Sequence, residues 1–302
     1  MEVSSHALSF ERIYGLHIDI AAFTNLTEDH LDYHKTMENY LNAKLLILDH
    51  LKDDAKIIVN SDDPVHDRFK KEGHKFITFG FNGDYKINNF DTGAAETKLN
   101  FSFDNKDYDV VIPLTSKFNV YNYLTMLSIV NEYGIDINKI IKETPNLKAP
   151  KGRCETYKVN HGYAIVDYAH TPDAVEKVIT AYNELKKGKV ITIVGCGGDR
   201  DPKKRPIMGH IATELSDYVI FSNDNPRTEN PEDIMKDILE GVKKDNYEVI
   251  LDRREAIKHG IDIMKPNDIL LILGKGHENY QIIGKTKIHL DDAEEVLNYK
   301  SN

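Results

Sequence analysis

Lys189 to Arg205 reads K-V-I-T-I-V-G-C-G-G-D-R-D-P-K-K-R, and this stretch restricts the fold more than any other. Val190–Val194 is a run of Val, Ile and Thr, the pattern of a strand buried on both faces. It breaks at Gly195, Gly197 and Gly198, where missing side chains let backbone N–H groups approach a ligand and permit positive φ. Asp199, Arg200, Asp201, Lys203, Lys204 and Arg205 follow, and Pro206 suits the first turn of a helix. Strand, glycine loop, charges and helix is how an open α/β sheet builds an anion site at the carboxyl end of a strand. Alone, the loop reads equally as a tight connection with solvated charges.

The pattern repeats over the second half. Pro145 to Gly152 (P-N-L-K-A-P-K-G) reads as a linker, and strands are expected at Tyr163–Val166, Val190–Val194, Tyr218–Ser222, Glu248–Leu251 and Ile269–Leu273. Helices between them open with Pro172, Pro206 and Pro231. The alternation predicts a mainly parallel sheet with helices on both faces. Every strand then ends at one edge, and four ends carry unusual residues: Asp167-Tyr168-Ala169-His170, the glycine loop with Arg200, Asn223-Asp224-Asn225-Pro226-Arg227, and Gly274-Lys275-Gly276-His277-Glu278. Four polar loops on one edge predict the rim of an active site.

The first half is less regular. Polar, potentially catalytic residues stand at its very start, Met1-Glu2-Val3-Ser4-Ser5-His6, which suggests a fragment. Ile18–Thr24 reads as a buried strand, followed by N-L-T-E-D-H-L-D-Y-H, in which Asp29, His30, Asp32 and His34 are metal-competent or form a solvated turn. Met37–Leu51 is expected as a helix with the apolar stripe Met37, Tyr40, Leu41, Leu45 and Leu48. Lys44 falls where an apolar residue belongs. It is either a lysine snorkelling from the edge of the stripe or one held for chemistry: neutral, paired, or carbamylated to a metal-binding carboxylate. Lys56–Asn60 and Lys75–Phe81 read as strands, Leu99–Phe103 and Tyr108–Ile112 as a hairpin, and Ser116–Tyr133 as a helix stopped by Gly134. Asn119 and Asn122 share a face near its start, as caps or as holders of a base or phosphate.

Composition excludes several classes. The 302 residues suggest two domains, and a net charge of −10 argues against a nucleic-acid footprint. Cys154 and Cys196 stand without metal or redox spacing, which excludes a disulfide framework and fits a reducing cytoplasm. No apolar run approaches membrane-spanning length, and the first residues do not read as a signal peptide. Gly284-Lys285-Thr286 imitates the end of a phosphate-binding P-loop. Its first glycine would fall on Asn279, no helix start follows, and the motif occurs nowhere in the chain.

These residues resemble the Mur ligases, ATP-dependent enzymes of peptidoglycan and cell-wall biosynthesis. The motifs are M-E-V-S-S-H-A-L, T-N-L-T-E-D-H-L-D-Y-H, Ala43-Lys44, G-R-C-E at 152–155, D-Y-A-H-T-P-D, G-C-G-G-D-R-D, D-N-P-R and G-K-G-H-E, spread over essentially the whole chain. The resemblance implies an α/β fold: a central, ATPase-like domain at 1–148 with a small β-hairpin, truncated at its N-terminus, then a Rossmann-like C-terminal amino-acid-binding domain at 149–302. It places a uridine-nucleotide domain and the P-loop upstream of Met1, so the fragment is expected to be inactive alone.

Roles follow residue by residue. Glu2 and His30 resemble Mg²⁺ ligands, and Lys44 the carbamylated lysine, N6-carboxylysine. Ser4 and Arg12 would hold a UDP-muramoyl dipeptide, UDP-MurNAc-L-Ala-D-Glu. Asn122, Arg153, Asp167 and Asn119 would hold ATP. Arg200, Asp224, Asn225, Pro226, Arg227, Gly274 and Glu278 would hold meso-diaminopimelate. The family's reaction passes through an acyl phosphate, and a cytoplasmic monomer acting on small molecules is expected. The competing readings are a non-catalytic nucleotide- or amino-acid-binding remnant, the lysine-adding branch of the family, and a folylpolyglutamate or cyanophycin type ligase. Asp224–Arg227 argues against the last.

Overall fold

The computed structural model describes residues 1–27, 30–160 and 162–300, leaving aside the side chains of Asp32 and Lys300. The chain divides into two compact units. The first comprises Met1–Asp91, Thr97–Ile112 and Lys117–Asn146, and the second Thr92–Glu96, Pro113–Ser116 and Leu147–Asn302.

In the first unit the elements are α1 (Ser5–Ser9), β1 (Ile18–Phe23), α2 (Leu31–His34), α3 (Met37–Leu45), β2 (Leu51–Asn60), β3 (Lys75–Gly80), β4 (Tyr85–Thr92), β5 (Thr97–Phe103), β6 (Lys106–Ile112), α4 (Lys117–Glu132) and α5 (Ile137–Glu143). The strands lie in the order β1-β2-β3-β4-β5-β6. β1, β2 and β3 pair in parallel, and β5 and β6 form the expected antiparallel hairpin. Asp104 and Asn105 close it with φ of 50° and 59°, the left-handed pair that suits a two-residue turn.

Three expectations change here. β1 is half open rather than buried: Ala21 and Phe23 are covered, while Asp19 and Ala22 are exposed. α3 ends at Leu45, not Leu51, and a 3-10 turn over Leu46–His50 leads into β2. The apolar stripe continues because the step of three from Leu45 to Leu48 keeps one face in a 3-10 turn. β4 and α5, which no pattern announced, complete the unit.

The second unit contains β7 (Glu155–Val159), β8 (Gly162–Asp167), α6 (Pro172–Leu185), β9 (Val190–Val194), α7 (Lys204–Leu215), β10 (Tyr218–Phe221), α8 (Pro231–Leu239), β11 (Tyr247–Val249), α9 (Arg253–Asp262), β12 (Ile269–Leu273), β13 (Tyr280–Ile283), β14 (Thr286–His289) and α10 (Asp292–Lys300). The main sheet runs β11-β10-β9-β12-β8-β7. All its pairings are parallel except that of β7 with β8. Alternate residues feed two cores. Val190, Val194, Val219, Phe221, Leu271 and Leu273 pack with α6, α7 and α8. Ile191, Ile193, Ile220, Leu270 and Ile272 pack with α9 and α10 on the other face. This is a doubly wound, Rossmann-like sheet.

α7 starts at Lys204, so Pro206 sits one turn in, where its missing N–H has no intrahelical acceptor to lose. The expected linker is shorter than read. Gly152 is buried with φ 68°, and a Cβ there would meet the His277 nitrogen at 2.1 Å.

Candidate functional site

β8, β12, β9 and β10 lie side by side and parallel, which brings their four carboxyl-end loops to one edge. Between the loops is a cavity of about 270 Å³. Arg200, Arg227, Asp224 and Glu278 supply its charge, and Asn225 and Gly274 complete the expected set.

Of the two expectations for the glycines at the end of β9, positive φ is not met, while Gly195 and Gly197 do line the cavity. None of Gly195, Gly197 and Gly198 has positive φ. A Cβ on Gly195 would meet the Ser222 carbonyl oxygen, and one on Gly198 the Pro226 carbonyl oxygen, each at 1.9 Å. On Gly197 it would come within 2.8 Å of Arg227 Nη1. The glycines let the β9 loop lie against the β10 loop. Arg227 Nη1 donates to the Gly198 carbonyl at 2.6 Å, and Gly198 N–H donates to the Asn225 carbonyl at 2.9 Å.

The charge run after the glycines divides by position. Arg200 and Lys204 line the cavity. Arg205 is 2% exposed and donates to Glu229 and Asp237, both at 2.8 Å. Asp199 accepts from Thr228 Oγ1 at 2.7 Å. The run is therefore part pocket wall and part brace, with Asp199, Arg200, Asp201 and Lys203 exposed to solvent.

The hairpin β13–β14 fixes the Asp224–Arg227 loop. Gln281 Nε2 donates to the Asp224 carbonyl at 2.7 Å, and Ile282 N–H to Asn225 Oδ1 at 2.9 Å. Arg227 N–H donates to the Ile282 carbonyl at 3.0 Å, and Gly284 N–H to the Arg227 carbonyl at 2.6 Å. Arg227 itself has φ 52°, a left-handed conformation that a non-glycine residue holds only when its surroundings impose it.

Beneath the edge, Arg253 and Asp292 form a fully buried pair. Arg253 Nε and Nη2 reach the two carboxylate oxygens at 2.8 and 2.7 Å, and Nη2 also donates to the Leu273 carbonyl at 3.0 Å. The start of α9, the start of α10 and the end of β12 are thereby tied together. On β8, Asp167 Oδ2 accepts from Cys154 N–H and Oδ1 from Ala169 N–H, both at 2.8 Å. Arg153 is exposed and lies 5.3 Å from the Tyr168 ring.

The first unit holds a second cavity, of about 790 Å³. Glu2, Lys44 and Asn122 line it together with the strand β1. Lys44 is half-buried, with Nζ 5.6 Å from the Tyr40 ring. The His30 ring lies 6.1 Å from the same ring and 4.8 Å from His6. His34 Nε2 is hydrogen-bonded to Ser5 Oγ at 2.9 Å. Asn122 Nδ2 donates to Asn119 Oδ1 at 3.1 Å. Ser4 caps α1 by accepting from Ala7 N–H at 3.1 Å, and Arg12 lies 5.5 Å from the Phe10 ring. Asp29 and the side chain of Asp32 lie outside the described residues. Among the described residues no three His, Cys, Asp or Glu side chains are grouped so as to hold a metal, and no helix is long and apolar enough to cross a membrane.

Two family profiles match the chain: the Mur ligase middle domain over residues 1–130, and the Mur ligase glutamate ligase domain over 152–276. The chain belongs to the Mur ligase family. Its relatives include UDP-N-acetylmuramoyl-L-alanyl-D-glutamate–2,6-diaminopimelate ligase 1 of Clostridium acetobutylicum, 44% identical over 99% of this chain and 63% of the relative. The corresponding ligase of Rickettsia bellii is 46% identical over 97% of this chain and 63% of its own length. A solved structure of a ligase of that name superposes with a TM-score of 0.76 at 35% identity, again covering 99% of this chain and 63% of the other. The chain thus spans about 63% of the length of the curated relatives it matches.

Within this Mur ligase chain, the carboxyl edge of the second unit gathers Arg200, Asp224, Asn225, Arg227, Gly274 and Glu278 in one cavity, with Pro226 in the same loop. In the first unit, Glu2, Lys44 and Asn122 share a cavity, while Ser4, Arg12, His30 and Asn119 are not among its lining residues. Tyr168, His170, Cys196, Lys204 and Tyr280 line the smaller cavity without having been singled out as ligands. For Tyr168, His170 and Lys204 the signal was already there, since each follows the end of a buried strand.

Proposed function

We propose that this Mur ligase chain takes part in the ATP-dependent addition of meso-diaminopimelate to the D-glutamate of UDP-MurNAc-L-Ala-D-Glu, a step of peptidoglycan synthesis. The observation that carries the reading is the small cavity in which Arg200, Arg227, Asp224 and Glu278 converge. Diaminopimelate has an ammonium and a carboxylate at each end, so a pocket for it needs both signs of charge. Arg200 and Arg227 supply the cations, and a guanidinium can grip a carboxylate through two parallel hydrogen bonds. Glu278 meets an ammonium group. L-Lysine lacks the second carboxylate and leaves Arg227 without its partner.

In the reaction, the D-glutamate side-chain carboxylate attacks the γ-phosphate of ATP, giving an acyl phosphate and ADP. The neutral amine of diaminopimelate then attacks the acyl carbon, and inorganic phosphate leaves. The pocket residues hold this amine at a fixed place rather than activating it. ATP is assigned to Asn122, Arg153 and Asp167, with Asn119 orienting the Asn122 amide. Asp167 accepts from the Cys154 and Ala169 N–H groups, which fixes Cys154 beside Arg153 and leaves its remaining lone pairs for a ligand. Ser4 and Arg12 are assigned to the UDP-muramoyl dipeptide.

Mg²⁺ uses one or two carboxylates plus substrate phosphates and keeps several waters, and Glu2 and Lys44, which share one cavity, would supply two anionic groups once Lys44 is carbamylated. Glu2, His30 and a carbamylated Lys44 would hold it. Bound there, the ion would neutralise charge on the transferring phosphoryl group. An unmodified Lys44 ammonium would repel it, whereas a carbamate is anionic and can ligate. Free, buried cysteines agree with action in a reducing cytoplasm.

Calorimetric titration of the 302-residue chain with meso-diaminopimelate and with L-lysine tests the reading. Binding of meso-diaminopimelate at least about tenfold tighter than L-lysine, or about 1.4 kcal/mol, is expected. Equal affinities would favour the lysine-adding branch.

A further inference from the structure

The charged pocket does not by itself explain Lys275, whose side chain is fully buried. Gly274 and Gly276 flank it with φ of 119° and 49°. A Cβ at Gly274 would come within 2.8 Å of Asp224 Oδ2, and one at Gly276 within 2.6 Å of Tyr168 Cβ. The two glycines let the loop turn tightly at the pocket edge, so that Lys275 points inward while Glu278, whose N–H donates to the Lys275 carbonyl at 2.9 Å, lines the cavity.

Inside, the Lys275 ammonium meets three acceptors: Asn225 Oδ1 at 3.4 Å, Glu278 Oε2 at 3.3 Å, and the Tyr280 carbonyl. An ammonium has three donors, so it is satisfied. Asn225 cannot be flipped in this network, because its Oδ1 also accepts from Ile282 N–H at 2.9 Å. Its Nδ2 therefore faces Glu278 Oε2, at 2.8 Å. One Glu278 oxygen is thus held by two donors, one of them cationic, and the carboxylate is left with a single orientation.

We propose that Lys275 is the positioning residue of the pocket: from beneath the floor it locks Asn225 and Glu278 so that Glu278 presents its other oxygen, Oε1, to the ammonium of the amino acid. This rests on the amino-acid reading of the pocket given above and deepens it. A buried ammonium carries a desolvation penalty, and an apolar side chain of the same length would fill the space at no loss of stability once the network were replaced. A lysine is needed there if the network's purpose is to aim a carboxylate.

The experiment is a double-mutant cycle read as affinity for meso-diaminopimelate, with Lys275→Met, Glu278→Gln and the pair, alongside thermal melts of each. Lys275→Met is expected to weaken binding about 10- to 100-fold, by analogy with the loss on removing residues that orient metal ligands. In the Glu278→Gln background the same change should add less than about threefold, because the carboxylate it aims is gone. Pimelate, which has the two carboxylates and no ammonium, should bind parent and Lys275→Met equally. A merely structural lysine would weaken both ligands and act additively with Glu278→Gln, and either result overturns the proposal. If Lys275→Met does not fold, Lys275→Gln, which keeps a donor and loses the charge, must show the same coupling. A parent that binds no meso-diaminopimelate overturns the amino-acid reading and the proposal together. A parent that binds it while the cycle is additive overturns the proposal alone.

Discussion

The two cavities differ in what holds their polar residues. In the second unit the candidate ligands stand at the ends of buried parallel strands, and several are held by bonds across the loops: Arg227 to the Gly198 carbonyl, Asn225 to Glu278 and Ile282, and the Asp224 carbonyl to Gln281. In the first unit Ser4, Arg12 and His30 stand on short helices and loops beside a half-open strand, where Ser4 caps α1 and the Arg12 and His30 side chains lie near aromatic rings. The lesson concerns preorganisation. A pocket whose residues are fixed before the ligand arrives can select by charge geometry, whereas one built on looser segments depends on what its ligands and modifications bring.

The largest effect that bears on this contrast is expected at Arg253. Arg253→Met strips Asp292 of its buried partner and should destabilise the second unit by about 3–5 kcal/mol, measured by denaturant unfolding. A loss below about 1 kcal/mol would show that the edge does not depend on this tie.

Next comes Lys44. With ¹³C-bicarbonate, the parent should show a carbamate carbonyl resonance that Lys44→Ala lacks, and added Mg²⁺ should perturb it. In a ligase assay Lys44→Ala should lose activity and regain part of it with a short carboxylic acid. Identical spectra for parent and variant would remove the carbamate from the account.

Glu132 in the first unit gives a smaller, pH-dependent effect. Burial alone would raise its carboxyl pKa, but hydrogen bonds and charge from Lys75 and Lys56 outweigh that and hold it below the ordinary 4.5. A depressed folded pKa contributes stability above the unfolded value, and this is lost as pH falls through the lower folded value. Glu132→Gln should therefore cost about 1 kcal/mol at neutral pH and leave a flatter stability curve below about pH 4.5. Parallel curves for parent and variant would contradict the pairing.

The smallest expected effect is chemical. Burial pushes the Cys196 thiol up to about 12 although the residue lines the smaller cavity, and burial pushes Cys154 up as well. Iodoacetamide at pH 8 should leave both thiols unmodified in the native protein, because only the thiolate reacts readily. Rapid labelling of Cys196 would mean that the wall opens.

Legibility in the sequence follows the same division. β9 and β12 were readable to the residue because apolar runs ended sharply in polar loops, and that placement also gave the four-loop edge. Lys275 was not readable as a buried group, since a lysine beside glycines and a histidine has the composition of an exposed turn. The β13–β14 hairpin was hidden because Thr286–His289 is exposed throughout and has no alternating buried face, while its role lies in backbone hydrogen bonds to Arg227. In the first unit, Lys44 was visible as a charge in an apolar stripe, but α3 ended early because the 3-10 turn preserves the same spacing.

The role proposed for Arg227 is to let the second unit select a ligand with a second carboxylate. Its most direct test is the ratio of L-lysine to meso-diaminopimelate dissociation constants, measured in the parent and in Arg227→Ala. Removing one member of a buried charged contact is worth about 2–5 kcal/mol, roughly 30- to several thousand-fold. The account predicts that Arg227→Ala loses meso-diaminopimelate affinity on that scale, keeps that for L-lysine within about threefold, and so brings the ratio close to one. A ratio near one in the parent, or one unchanged by the substitution, would contradict it.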